Sequence, residues 1–532
     1  MKAGRVQKTT ILILVLISIL YFCVMIPANL TGSETPEMLE VFEVDEYAQY
    51  PHVIRMLTPG DGLYQTGRNF LVYLHYFYGY PFYFWSAISI LPLKLFSSVW
   101  PDNTRVIVCV LRQMISVLPM ILSAGLLTWI TTKFKRPLLS SVLFLLLLTM
   151  PAVLDNDFWW HPDSLTLLFL CLTFFFLDRD QMRCEKNFLF AAAACGAAIG
   201  TKYLGFYFAF AIPAYLLSCR LQGNINTKQL FKKAILFVLV MVLFILISDP
   251  LLLLPQERTE IIEVIKHQSI NSGIGIFVQY QNIFLEQGVL PEWFTKNYLR
   301  LFWLILAFIS LGAGLFSKNK HRQTMSVLFL LYIIAAFVIN LNTAASRLHY
   351  FLPIMLPLVS QIGILPEFSV LSRKTIEYVL SVILVIQIGI NLHTDSVLFD
   401  QQVHREETSE SVNLYKILQT EYLPLSEVPA ERMTRVFRDW KVYFPEQEGY
   451  AIMTDWELGS FAMLDEWQPD LVLLEQENIK AFSSESVLDN AVNTDRMRGA
   501  VAFYLAASEK NIPGYELLLE NDFGMVFRKV QP

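Results

Sequence analysis

Charge is scarce in this chain: Asp, Glu, Lys and Arg make up 17% of its 532 residues, with a net charge of -6. There is no basic stripe interleaved with aromatics, which excludes a nucleic-acid groove and a nucleic-acid partner. Cysteine is scarcer still. The six, Cys23, Cys109, Cys171, Cys184, Cys195 and Cys219, fall in apolar runs or beside basic loops and follow no zinc-ligand spacing. A disulfide framework and a zinc finger are therefore both excluded. Apolar side chains fill the space that charge leaves. The chain is 54% hydrophobic and 14% aromatic, in runs approaching the ~20 residues that cross a ~30 Å hydrocarbon core. Such a composition excludes a soluble globular protein.

Eleven runs read as membrane spans, at 10–26, 105–130, 138–154, 158–177, 188–200, 204–217, 234–254, 299–316, 325–341, 350–365 and 376–392. Basic residues collect in alternate loops: Lys2, Arg5 and Lys8; Lys133, Lys135 and Arg136; Arg179, Arg183 and Lys186; Lys228, Lys232 and Lys233; Lys318, Lys320 and Arg322; Arg373 and Lys374. The positive-inside rule makes that side the cytoplasm. Parity then requires 188–217 to be two short spans with Lys202 at their outer turn, because one long tilted helix would put Arg220 to Lys233 outside. The first span follows a basic start but lacks a small-x-small cleavage site, so it reads as an anchor with a cytoplasmic N-terminus.

Three exported segments are long enough to carry chemistry. Residues 28–103 read as a cap of loop and short interfacial helices, with aromatics crowded between Tyr73 and Trp85. Residues 255–298 open with a helical pattern from Gln256 to His267 that suits the bilayer surface. Residues 393–532 have ordinary soluble composition and domain length. The expected strands there are Tyr450 to Met453, Leu471 to Leu474 and Met525 to Phe527, with a helix around Arg498 to Ser508. The division is thus a membrane domain, 1–392, and an extracytoplasmic α/β domain, 393–532. The latter contains no nucleophile-base pair, metal cluster or phosphate loop.

Chemistry must come from the outer ends of the helices. Asp45 and Glu46 read either as solvated loop acids or as a general base for an acceptor hydroxyl, and adjacent residues on a helix project differently, so one at most faces a reaction. The run from Asp155 to Asp163 contains Trp159 and Trp160, expected as interfacial anchors. His161 and Asp163 read as a helix cap with solvated charge or as the wall of a site, and are too few for a metal centre. Arg112, Lys202, His267, Arg347 and His349 form a cationic set. Singly each is explained by snorkelling or interface capping; together they suit a phosphate ester.

On these residues the chain resembles the GT-C class of membrane glycosyltransferases that use polyprenyl-phosphate sugars. Within that class it is similar to the group of the protein O-mannosyltransferases and lipid A aminoarabinose transferases, especially its bacterial family 39-like members. The stretches that carry the resemblance are Asp45-Glu46-Tyr47-Ala48, Gly79-Tyr80-Pro81-Phe82-Tyr83-Phe84-Trp85, Val110-Leu111-Arg112 and Pro162-Asp163-Ser164-Leu165. It continues through Gly200-Thr201-Lys202, Asp249-Pro250-Leu251 and Arg347-Leu348-His349-Tyr350. The resemblance implies Asp45 as catalytic base with Glu46 beside it, Asp163 as a second acid, and Lys202 and Arg347 against the donor phosphate. Beyond the resemblance, Arg112, His161, His267, His349 and Tyr83 complete the candidate substrate-binding set. One departure stands out: relatives carry Lys-Pro-Pro-Leu where this chain has Gly79-Tyr80-Pro81-Phe82, and Arg68, His75 or His267 are the candidates to replace that lysine.

The expectation is a mainly α, polytopic GT-C-like membrane protein with a small C-terminal α/β domain, at home in a bacterial plasma membrane. It would move a sugar from a polyprenyl phosphate to a lipid, glycan or protein acceptor by inverting displacement. No cofactor or metal is required, although Asp45 and Asp163 could share a divalent cation. The competing reading is a transporter or lipid flippase, which would place ionisable groups near the midplane; only Arg112 lies within a span. A third is a scaffold whose working part is the exported domain.

Overall fold

The structure, a computed structural model, describes residues 4–96, 100–270, 290–341, 347–368, 372–423, 433–453 and 458–530. Seven of its helices are long and apolar enough to cross a membrane: Arg5–Asn29, Thr104–Thr132, Leu204–Leu221, Thr227–Ser248, Lys320–Leu341, His349–Glu367 and Arg373–Val403. Pro137–Leu148 and Pro151–Asp157, bent by 61° at the break, make an eighth if taken as one span. Pro151 sets that break, because a proline pushes the residue before it out of helical geometry. The other expected spans are helical but shorter or more charged: Asp163–Asp180, Lys186–Thr201 and Leu301–Leu315. Asp163–Asp180 buries Leu167, Leu170, Phe174 and Leu177 inside the bundle, which is where a span with charged ends can sit. The chain is an integral, multi-pass membrane protein.

The basic loops meet at one end of the bundle. Asp178 takes Lys133 and, at 3.1 Å, His321. Glu367 takes Arg136 at 3.3 Å and Arg322 at 3.4 Å. Asp163 opens the same helix that Asp178 nearly closes, so residues around Asp163 lie at the opposite end.

The last span runs on as helix to Val403, past the expected boundary at 392. Beyond it lies a five-stranded sheet of β1 (Thr434–Arg438), β2 (Tyr450–Met453), β3 (Leu471–Glu475), β4 (Tyr515–Glu520) and β5 (Gly524–Lys529). The strand order is β2-β1-β3-β5-β4, with β1 parallel to β2 and β3, and β5 antiparallel to β3 and β4. Helix Thr494–Ser508 covers one face, where Met497, Val501 and Tyr504 meet Val472, Leu474 and Phe527. On the other face Val436, Leu473 and Val526 pack with Val412, Leu414 and Met38. Met38 belongs to the segment that follows the first span, in helix Pro36–Phe42. Burying that side chain contributes about 1.5–3 kcal/mol to the docking of loop on sheet.

The segment that opens at Pro255 also differs from expectation. Helix Pro255–Ile270 is not simply spread on a bilayer surface: Ile261 is buried among first-segment residues such as Tyr76 and Tyr80. Its Glu257 pairs with Arg68 at 3.3 Å.

Candidate functional site

Asp45 and Glu46 occupy the first turn of helix Val44–Leu57, where the positive end of the helix dipole favours carboxylates. Being adjacent, they face different ways. Glu46 turns inward and chelates Arg112, with Nε to Oε1 at 2.8 Å and Nη2 to Oε2 at 2.5 Å. Neither side chain is exposed. Arg112 Nη1 donates to the carbonyls of Asn29 at 3.0 Å and Thr31 at 2.8 Å, and the Trp160 amide donates to Glu46 Oε1 at 2.5 Å. Arg112 opens a π-helical turn, Arg112–Val117, just ahead of Pro119, whose missing N–H and ring loosen the helix there. The two residues expected as phosphate ligand and catalytic neighbour are instead a buried pair that ties the segment after the first span to the span that carries Arg112. Burial demands it, since an unpaired guanidinium inside the protein is costly.

Asp45 turns the other way and is one-third exposed, with Oδ2 3.9 Å from both His161 Nε2 and Arg347 Nη1. Behind it lies Asp163, 1% exposed, whose Oδ1 accepts from Lys202 Nζ at 2.7 Å. Its Oδ2 meets His161 Nδ1 and lies 3.9 Å from His349 Nε2. His161 Nε2 contacts the Tyr78 hydroxyl at 2.7 Å; with the acceptor-only Asp163 carboxylate facing Nδ1, a neutral imidazole that donates from Nδ1 accepts from that hydroxyl at Nε2. Trp159 stacks on His161 with centroids 4.1 Å apart. Trp160, expected as an interfacial anchor, is fully buried on Phe82 and donates its indole N–H to Ser86 Oγ at 2.8 Å. Lys202 caps helix Lys186–Thr201 in extended conformation, and its ammonium lies 5.1 Å from the Tyr350 ring and 6.0 Å from that of Tyr78.

The cap sits directly on this lysine turn. The Gly79 amide donates to the Thr201 carbonyl at 3.1 Å, and a Cβ on Gly79 would fall 1.6 Å from the Gly200 oxygen. Four residues on, Tyr83 is buried and its hydroxyl meets His75 Nδ1 at 2.5 Å. Burial, with His52 adding to it, pushes His75 down to about 4, so at neutral pH it is an uncharged partner of Tyr83 rather than a substitute for the missing lysine. Arg68 is committed to Glu257. The side chain of His267 lies outside the described residues.

Asp45, His161, Asp163, Lys202, Arg347 and His349 therefore converge from four separate chain segments, while Glu46 and Arg112 stand behind them. Tyr78 and Tyr350, which bracket Lys202, were not expected; the aromatic crowding from Tyr73 to Trp85 and the Arg-Leu-His-Tyr run were the only signals. Burial, reinforced by Asp45 and Asp163, holds the Tyr78 phenol well above its ordinary range, so it remains a donor. His161, Asp163 and His349 each offer one ligand atom within 4.8 Å of the others, a set that fits a metal ion in its donor types. The Lys202 ammonium already supplies positive charge to the same carboxylate.

Residues 93–248 match the family model described as dolichyl-phosphate-mannose-protein mannosyltransferase. Arg112, Asp163 and Lys202 lie inside the match. The chain is also similar to the crystal structure of ArnT from Cupriavidus metallidurans bound to undecaprenyl phosphate, over 98% of each chain, with 12% identity and a TM-score of 0.55. A looser likeness joins 95% of this chain to 79% of the Archaeoglobus fulgidus oligosaccharyltransferase in complex with Zn and sulfate, at 11% identity and a TM-score of 0.49. No curated protein sequence matches. The family segment and the shared fold with ArnT bear out the GT-C resemblance drawn from the motifs.

Proposed function

We propose that the chain is a membrane glycosyltransferase that moves a sugar from a polyprenyl-phosphate donor to a hydroxyl of a lipid, glycan or protein acceptor. The observation that carries this reading is one solvent-reachable carboxylate, Asp45, facing Arg347 and the Lys202–Asp163–His161 group at the end of the bundle opposite the basic loops. That end is the extracytoplasmic one if the positive-inside rule orients the chain. Asp45 takes the proton of the acceptor hydroxyl as its oxygen attacks the anomeric carbon. The bond from that carbon to the phosphate oxygen breaks, and the charge gathering on the departing polyprenyl phosphate is met by Lys202 and Arg347. A single displacement inverts the anomeric centre. Asp163 orients the ammonium, and His161, fixed by Asp163, Tyr78 and Trp159, walls the site between the two acids.

The catalytic role of Glu46 and the phosphate role of Arg112 are replaced by positioning. Lys202 already brings cationic charge to Asp163, so this reading requires no metal although His161, Asp163 and His349 would hold one; the expected outcome with a chelator is an unchanged rate. The transporter reading finds less support, because the convergent ionisable groups lie at one end and the intramembrane Arg112 is locked to Glu46. Purified protein in vesicles with a labelled polyprenyl-phosphate sugar distinguishes the two. Transfer of label to an acceptor supports the transferase. Movement of the lipid or its sugar across the bilayer without transfer overturns it.

A further inference from the structure

Glu40, Glu43 and Glu46 recur every third residue along the segment that presents Asp45, and each is held by an arginine from a different region. Glu40 pairs with Arg438, the last residue of β1, and both are 1% exposed. Glu43 Oε1 accepts from Arg405 Nη1 at 3.2 Å, just beyond the last span. Glu46 holds Arg112. Two of these pairs share a node, for the Thr31 carbonyl accepts from Arg112 Nη1 at 2.8 Å and from Arg405 Nη2 at 2.6 Å. Next to it, Gly32 adopts φ +69 and donates its amide to Glu406 Oε1 at 2.5 Å. A Cβ there would lie 2.4 Å from Arg405 Nε, so a side chain at this positive-φ position would push that arginine from its place. The C-terminal ends of parallel strands are where open α/β sheets take their ligands; here the end of β1 takes a carboxylate of its own chain.

Resting on the reading of Asp45 as the base, we propose that Arg438 and Arg405 are positioning residues for the transfer reaction. The C-terminal domain clamps the segment from Thr31 to Glu46 and so holds Asp45 in register with Arg347 and His161. Between Glu40 and Glu46 three carboxylates are held by arginines, two of them from the C-terminal domain, and Asp45 is the acid of that stretch that faces the site. Rates fall steeply when a catalytic group is misplaced by about 1 Å, while donor contacts on other elements persist.

The test compares R438M, G32A and the exchanged pair E40R/R438E with the parent, in full-length protein in nanodiscs. We expect R438M and G32A to lower kcat about 10- to 100-fold, as a 1 Å misplacement does, with KM for the polyprenyl-phosphate sugar unchanged. The exchanged pair should recover part of that loss. Hydrogen exchange of residues 36–57 should rise in R438M and G32A while the helices of the bundle keep their protection. Unchanged kcat, or unchanged exchange across 36–57, overturns the proposal. If the parent transfers no sugar the function fails, and the exchange measurement still decides whether the clamp holds the segment.

Discussion

Asp45 and Asp163 are both carboxylates of the same pocket, yet the structure separates the consequences of removing them. Asp45 is one-third exposed, and its charged neighbours stand 3.9 Å away, so Asp45→Asn should change stability by less than about 1 kcal/mol, as for weak exposed pairs. As general base it should instead lower the rate about 10²- to 10⁴-fold, equivalent to about 3–5 kcal/mol on the barrier. Asp163 is buried and holds Lys202 at 2.7 Å together with His161. Asp163→Asn strands an ammonium that is only 18% exposed, and stranding a buried charge costs about 3–5 kcal/mol. Initial rates of sugar transfer and thermal unfolding, measured on the same nanodisc preparations, read both effects. The reasoning is refuted if Asp45→Asn transfers at the parental rate, or if it unfolds the protein while Asp163→Asn melts like the parent.

Gly79→Ala should displace the turn that carries Lys202, because its methyl group would overlap the Gly200 oxygen; the expected result is a raised KM for the donor and a loss of about 1–3 kcal/mol of stability, seen by kinetics and thermal unfolding. Glu46→Gln should cost about 3–5 kcal/mol by unpairing Arg112, whereas Glu46→Leu combined with Arg112→Met should cost less than either single change, a double-mutant comparison in detergent. In the C-terminal domain, burial raises the Asp439 carboxyl to about 6, against the lowering contacts of Tyr504 and the Glu475 amide. The native state then keeps a proton that the unfolded chain releases near pH 4, so stability falls as pH rises from about 4 to about 6, by about 3 kcal/mol in all. Asp439→Asn should flatten that fall, as followed by the unfolding midpoint of the full-length protein across this pH range.

Legibility in the sequence followed the range of the interactions. Uninterrupted apolar runs need no partner to be recognised, and each expected span coincides with helix, even where Asp163–Asp180 carries too much charge at its ends to pass as a free-standing span. The motif residues Asp45, Asp163, Lys202 and Arg347 were legible because each stands at a helix end, and the fold brings those ends together. What was not legible depended on distant partners. Arg112 looked like an available cation because Glu46 lies 66 positions away. β1 escaped notice because Arg435 and Arg438 leave it only Val436 and Phe437 as an apolar signal, and the carboxylate that makes the buried Arg438 tolerable is 398 positions away. β4, half exposed along its length, carries no buried face to announce it. Trp160 resembled an interfacial anchor until Phe82 and Ser86 were seen to enclose it.

The most direct measurement of the central claim is the affinity of the purified protein for undecaprenyl phosphate against undecaprenol, in the parent and in the Lys202→Met/Arg347→Met variant. Two charge-assisted contacts at about 1.5–3 kcal/mol each predict that the parent prefers the phosphate by more than about 100-fold. The variant should lose most of that preference while binding the alcohol as before. Equal affinity for the two lipids in the parent, or an unchanged preference in the variant, would contradict a phosphate site at Lys202 and Arg347.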